Sequence, residues 1–380
     1  MIKSSLEEYL NNKPLYYDKI DFDIVQQSWD ILSCHLDLPY VIHIVGTNGK
    51  GSTGRFLASF LTQLDKTVLH YSSPHIIEFN ERIWLNGKNS TNQELDQAHN
   101  KIQNILTKYY LERLTYFEYT TLIALVLSDG IDYLVLEAGL GGEFDATNVV
   151  KNNLTLLTTI GLDHQDFLGS TIEEITLTKA RSCDTSIIIG KQQTTDIERY
   201  VRELFRDTRN IVSLSIFDTS FYDDKLPKYL LSNLQLAFSA LKYLNLSIKT
   251  FELPKLFGRY QKITSNIIID VGHNPLAASV IKEQLAKENK KVILIYNSYK
   301  DKDYDEVLGI LNDVVKEVQI IKCDDSRIVD IEILQNTLSK LSITHNIFNI
   351  KDLASTTEYY LVFGSFIVVE NFLKEYNSGC

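Results

Sequence analysis

Residues 41–57 read VIHIVGTNGKGSTGRFL, a run of apolar and β-branched residues that passes through a glycine-rich turn into a helical pattern. Strand, turn and helix in that order are the context a phosphate-binding loop requires. Gly46, Gly49 and Gly51 let backbone N–H groups face an anion, Lys50 offers a cation to β and γ phosphates, and the hydroxyl of Ser52 or Thr53 can reach Mg²⁺. The strict GxxxxGKS or GxxxxGKT spacing is not met, because Ile44 stands at the first glycine position and Gly51 separates Lys50 from Ser52. Alone, the segment also reads as a glycine-rich turn with a surface lysine.

Outward from this loop, TVLHYSS (67–73), YLVLEAG (133–139) and LTLLTTIG (154–161) have the composition of buried parallel strands. Residues 52–64 and 116–128 carry apolar residues at helical spacing between them. The alternation predicts a doubly wound, mostly parallel α/β sheet. KYLLSNLQLAFSALKYL (228–244) is a strong amphipathic helix, and SIKTFELPKLFGRY after it has no periodicity, which places a domain junction there. NIIIDVG (266–272), KVILIYN (291–297), EVQIIKC (317–323) and YYLVFGS (359–365) are four further strands. The expected fold is therefore α/β in two domains: an N-terminal phosphate-loop domain over residues 1–252 and a smaller, Rossmann-like C-terminal α/β domain over 253–380. Two unlike lobes invite a ligand cleft between them.

Composition narrows the function classes. A chain of 380 residues suits two domains at about 100 to 200 residues each. Lys plus Arg is 38 against 49 for Asp plus Glu, a formal charge of −11 with no dense basic run, which argues against a nucleic-acid partner. The longest apolar stretches, such as LIALVL from Leu122, fall far short of the roughly 18 residues of a membrane span. The start, MIKSSLEEYLNNK, lacks the apolar core of a secretory signal, so a soluble cytoplasmic protein is expected. Cys34, Cys183, Cys323 and Cys380 have no metal spacing and read as isolated thiols.

Among acidic residues, Glu137 fits a Mg²⁺ ligand. It ends the strand YLVLE at the carboxyl edge, where ligands bind in open α/β sheets, and a carboxylate buried there needs a cation partner. It also reads as a strand-end acid bonded to backbone amides. By themselves His164 is a hydrogen-bonded core or cleft histidine, Ser73 a turn serine before Pro74, and Lys179 a solvated charge on the helix TIEEITLTKAR.

GTNGKGS resembles the phosphate loop of the Mur ligase superfamily, specifically its folylpolyglutamate synthase and dihydrofolate synthase branch. The other blocks are similar in order: YSSPHIIEFNERI (71–83), TYFEYTTLIAL (115–125), LEAGLGGEFDATNVV (136–150), TIGLDHQDFLGST (159–171), LTKAR (177–181), FGRYQ (257–261), DVGHNPLAA (270–278), KDKDY (300–304) and FGSF (363–366). Together they span nearly the whole chain.

The resemblance implies ATP contacts from Thr47, Asn48, Gly49, Lys50, Gly51 and Ser52, from Asn233, and from Arg259, Asp270 and His273, so that ATP bridges the domains. Ser73, Glu137, His164 and Lys179 become ligands of two Mg²⁺ ions, Lys179 as a CO₂-derived carbamate, which turns a cation into an anionic oxygen ligand. Lys50, His164, Lys179 and Arg259 are the implied catalytic set. The family's Lys-Ala-Gly stands here as Lys179-Ala180-Arg181. Asp21, Thr115, Tyr116, Phe117, Glu118, Phe144, Asp145 and Ala146 resemble the pterin site, with Phe117 able to stack on a flat heterocycle and Asp145 able to accept its N–H donors; as a plain aromatic, Phe117 reads equally as core. In IDFDIVQQ (20–27) Asp23 replaces the family's glycine and the arginine is absent. The implied activity is ATP-dependent joining of L-glutamate to dihydropteroate and to tetrahydrofolate polyglutamates through an acyl phosphate, in a monomer. The alternatives are a monofunctional folylpolyglutamate synthase and a non-catalytic nucleotide-binding relative; a Mur enzyme acting on a nucleotide-linked peptide is a further rival, against which FEY, DATN and the SSPH block argue.

Overall fold

The computed structural model describes residues 5–13, 22–222, 225–248, 250–355 and 358–378. Asp21 and Cys380 lie outside the described residues. The chain divides into two compact units, Met1–Phe221 with Leu230–Pro254, and Tyr222–Tyr229 with Lys255–Cys380.

The first unit holds an eight-stranded sheet built from β1 (Tyr40–Val45), β2 (Val68–Tyr71), β3 (Ile83–Leu85), β4 (Lys88–Asn89), β5 (Tyr133–Glu137), β6 (Leu154–Leu157), β7 (Ser186–Ile189) and β8 (Asn210–Val212). Its order is β4-β3-β2-β5-β1-β6-β7-β8, parallel except for the β2-β3-β4 ribbon. Strand β1 is central, with β5 on one side and β6 on the other, so the order diverges at its carboxyl end, and ligands bind at such a switch point. Burial explains the continuous apolar runs: every residue of β1 after Tyr40, and all of β2, β6 and β7, is buried. Helices Phe22–Ser33, Asn92–Ile105 and Tyr116–Leu127 seal one core against β2 and β5, and Ile172–Ala180 with Thr195–Leu204 seal another beside β6 and β7.

The second unit holds β9 (Gln261–Lys262), β10 (Ile267–Ile269), β11 (Val292–Tyr296), β12 (Val315–Ile320), β13 (His345–Ile347) and β14 (Tyr359–Phe363) in the order β13-β12-β11-β14-β10-β9. Only β9 runs antiparallel. The α/β class, the sheets and their parallel sense match the sequence reading. One difference bears on function: the strand expected over 154–161 ends at Leu157. Beyond it the Thr159 carbonyl accepts from Thr47 N at 3.0 Å and Asn48 N at 3.2 Å, so the segment leaves the sheet to bind the glycine-rich loop. Among the described residues no helix is long and apolar enough to cross a membrane.

Candidate functional site

The glycine-rich loop leaves β1 and enters the helix Lys50–Gln63 through Gly49, whose φ of 91° lies in the left-handed region. A Cβ there would fall 2.5 Å from Asn233 Oδ1, so glycine is required twice over. Thr47 Oγ1 donates to the Gly161 carbonyl at 3.0 Å and accepts from Gly161 N at 3.1 Å, a second clasp on the same segment. Lys50 curls back, with Nζ 3.1 Å from the Gly46 carbonyl and 3.2 Å from that of Thr47. Ser52 and Thr53 are buried in the first turn, and neither Ser52 Oγ nor Thr53 Oγ1 has a hydrogen-bond partner among the described residues. Asn233 Nδ2 is likewise buried and unpartnered. Three such groups around one helix N-terminus are costly unless a polar ligand completes them.

Glu137 ends β5 next to β1, buried. Its Oε2 lies 3.1 Å from where a Gly51 Cβ would be, and it accepts from Ser73 N at 3.3 Å, so these three expected site residues meet. An oxygen set of carboxylate and hydroxyls, one of them orphaned, suits Mg²⁺. Among the described residues no group of three or more His, Cys, Asp or Glu forms a ready-made metal site. Arg55, one turn into the helix, gives Nε to His70 Nδ1 at 3.3 Å, and burial lowers its pKa to about 10 against the pull of Glu137.

Lys179 is a buried side chain in the last turn of Ile172–Ala180, which removes the solvated-charge reading. Its Nζ donates to the Leu140 carbonyl at 2.7 Å. Burial, helped by the Lys50 cation and opposed by Asp145 and Asp163, lowers its pKa to about 7. The loop after β5 lies directly on this helix: a Cβ on Gly142 would sit 2.6 Å from the Lys179 carbonyl oxygen. Arg181 turns outward to pair with Glu143 at 3.2 Å. His164 has φ 53° and opens the short helix Gln165–Leu168, with Nε2 3.8 Å from Asp163 Oδ1.

The residues expected at the pterin are largely occupied locally. Thr115 and Glu118 cap the helix Tyr116–Leu127 reciprocally: Thr115 N donates to Glu118 Oε2 at 2.7 Å and Glu118 N donates to Thr115 Oγ1 at 3.3 Å. Asp145 has Oδ2 on Leu140 N at 2.9 Å and Oδ1 on Thr147 N and Oγ1 at 3.0 and 2.6 Å, so it folds its own loop. Phe117 is half-buried, its ring 6.1 Å from that of Tyr71 and against Gly139. Ala146 is half-buried behind Asp145, and Phe144 is 63% exposed. The sequence reading gave no role to Arg82 in the block 71–83. It is buried beside His75, whose pKa burial and the Arg82 cation lower to about 4, and against Tyr116. Nothing in residue type marks this, because the turn that sets Arg82 on His75 carries no pattern and Tyr116 comes from a separate segment.

In the second unit Asp270 follows β10, buried, and accepts from Tyr229 OH, Tyr260 N and Gly272 N, each at 2.8 Å. Burial raises its pKa, while the neighbouring Arg259 cation opposes. The Arg259 guanidinium lies 5.2 Å from the Phe366 ring and donates to the Gly258 carbonyl at 3.2 Å. His273 Nδ1 is 3.1 Å from the Val271 carbonyl, just ahead of Asn274, which caps the helix Pro275–Lys287.

A loop of this kind at the switch point of a doubly wound sheet is that of an enzyme handling nucleotide phosphates. No family profile matched the chain. It is 32% identical over 369 residues to the dihydrofolate synthase/folylpolyglutamate synthase of Haemophilus influenzae, covering 83% of this chain and 82% of the relative. The structure of Escherichia coli FolC in complex with DHPP and ADP superposes with a TM-score of 0.85 at 26% identity, covering 99% and 98% of the two chains. That of a bifunctional folylpolyglutamate synthase/dihydrofolate synthase with Mn, AMPPNP and L-glutamate bound gives 0.81 at 25%, covering 98% of each. The chain belongs to the dihydrofolate synthase/folylpolyglutamate synthase family.

Proposed function

We propose that this protein is an ATP-dependent ligase that joins L-glutamate to dihydropteroate and to tetrahydrofolate and its polyglutamates. The observation that carries the reading is the set of unpartnered polar groups around the start of the Lys50–Gln63 helix, whose Gly51 lies against Glu137, in a chain whose relatives bind ADP, AMPPNP and Mn. Residues 1–252 handle ATP and the pterin, and 253–380 serve glutamate ligation. The protein acts as a cytoplasmic monomer.

Lys50 and the loop amides hold the β and γ phosphates, with Asn233 alongside. Ser52, Ser73 and Glu137 hold one Mg²⁺; His164 and Lys179 serve a second. Bound there, the ions would supply positive charge to offset that of the phosphates. The acceptor carboxylate attacks that phosphate, releasing ADP and forming an acyl phosphate; the glutamate amine then displaces phosphate and loses a proton. Arg259 offsets developing charge, and Asp270 and His273 serve the nucleotide. Lys179 reaches its working form by addition of its neutral amine to CO₂ with loss of a proton, giving a carbamate. Its pKa of about 7 supports this, because only the neutral amine is nucleophilic. Phe117, Tyr116 and exposed Phe144 flank the heterocycle, with Asp21, Thr115, Glu118, Asp145 and Ala146 around it.

The test is ADP and phosphate release by the purified protein with Mg²⁺, ATP and L-glutamate, comparing 7,8-dihydropteroate with tetrahydrofolate. Glutamate-dependent release is expected with both. Release with one alone reduces the reading to a single synthase, and release with neither overturns it.

A further inference from the structure

A buried cation without a counter-ion among the described residues stands beside the loop that carries Ser73. Arg82 closes the turn Phe79–Arg82, is only 8% exposed, and gives Nε to His75 Nδ1 at 2.8 Å. Its guanidinium carbon lies 5.9 Å from the Phe79 ring and 5.4 Å from the Tyr116 ring. Nη1 and Nη2 bond to nothing among the described residues, and no carboxylate there lies within ion-pair distance. Adjacent Glu81 is no counter-ion, because its oxygens accept from Ile76 N, Ile77 N and Glu78 N at 2.8, 2.9 and 2.9 Å.

Aromatic faces attract a cation but do not replace its hydrogen bonds. A guanidinium carries five donors in one plane, and four of these are left in the geometry that takes a carboxylate bidentately. ATP is a poor candidate for this anion. Its phosphates belong after β1, whereas Arg82 immediately precedes β3, with β2 and β5 intervening in the sheet. The acceptor fits better: Tyr116 lies in the segment assigned to the heterocycle, and the Arg82 carbonyl accepts from Ser72 N at 2.8 Å, next to Ser73. Arg82 thus touches the segment assigned to the heterocycle with its side chain and the loop that carries Ser73 with its backbone.

We infer that Arg82 binds the non-reacting carboxylate of an acceptor that already ends in glutamate, and so sets the preference for such acceptors over dihydropteroate. Dihydropteroate has a single carboxylate, the one that reacts; a folate ending in glutamate has two. Arg82 is therefore a specificity residue for one half of the activity proposed above, and the inference rests on that reading.

The experiment measures kcat and KM for tetrahydrofolate and for dihydropteroate with the wild type, Arg82→Gln and Arg82→Lys. Arg82→Gln should raise KM for tetrahydrofolate about 10- to 100-fold, the worth of a charge-assisted bidentate contact, and leave dihydropteroate within about 3-fold. Arg82→Lys should fall between, since a point charge keeps attraction without the fork. An analogue with γ-aminobutyrate in place of the terminal glutamate lacks only the α-carboxylate. The wild type should bind it as weakly as Arg82→Gln binds tetrahydrofolate, a result independent of how any variant folds. Equal losses for both acceptors, or full wild-type affinity for the analogue, overturn the inference while the ligase reading stands. A wild type that turns over neither acceptor overturns both.

Discussion

The ends of β1 and β10 meet the same problem, buried polar groups at a strand's carboxyl edge, in opposite ways. After β1, Ser52 Oγ, Thr53 Oγ1 and Asn233 Nδ2 are buried with no partner among the described residues. After β10, Asp270 is buried with three donors upon it. The first arrangement leaves polar groups open to a ligand; in the second, three donors within the same unit already hold the carboxylate. Substitutions after β1 should therefore cost turnover and spare the fold, and substitutions after β10 should cost the fold itself.

The largest effect follows from the β1 side. Lys50→Met should cut glutamate-dependent ADP release at least about a thousandfold, because the charge of the transferring phosphoryl group loses its cation. Its thermal unfolding should stay within about 3 °C of wild type, since Lys50 contributes only two loop-carbonyl bonds at a partly exposed site. Loss of the fold together with activity would break the comparison. The β10 side gives the complementary result. Asp270→Ala strands Tyr229 OH, Tyr260 N and Gly272 N and should lower unfolding stability by about 2–4 kcal/mol, whereas Ser52→Ala, which removes no protein bond, should change it by less than about 0.5 kcal/mol. Denaturant melts of the two variants make the check.

How much of this was legible in the sequence follows the same divide between local and assembled features. The phosphate loop was readable because glycine and lysine spacing within one turn encodes it, and β1, β5 and β6 because buried parallel strands are apolar throughout. The burial of Lys179 was not readable. It comes from a loop forty residues earlier, laid down by Gly142 and held by Asp145, and no periodicity in TIEEITLTKAR reports that cover. Arg82 was likewise just a charge in FNERI until Tyr116, Phe79 and His75 were brought around it. The short edge strands β4 and β9, two residues each, are too brief to carry a pattern.

Lys13 sharpens the comparison with the smallest effect, being both bonded and half-buried. Its Nζ donates to the carbonyls of Leu111 and Leu114 at 2.6 and 2.5 Å, and burial lowers its pKa to about 8 against the attraction of Glu118 and Glu112. Since the folded value lies below the unfolded 10.5, the unfolded chain holds more protons between about pH 8 and 10.5, and this group adds stability as pH rises through that window. Allowing for its partial exposure, the stability of wild type relative to Lys13→Met should rise by about 1–2 kcal/mol from pH 7 to 10.5. A flat difference would show that its bonds leave no desolvation cost.

The central claim, that ATP is spent to activate an acceptor carboxylate for glutamate, is tested most directly by following oxygen. Dihydropteroate carrying heavy oxygen in its carboxylate is incubated with the protein, Mg²⁺, ATP and L-glutamate, and the phosphate and folate products are analysed by mass spectrometry. The account predicts dihydrofolate, with one heavy oxygen delivered to each inorganic phosphate released. Phosphate that stays unlabelled while dihydrofolate forms, or ADP release that needs neither acceptor nor glutamate, would contradict it.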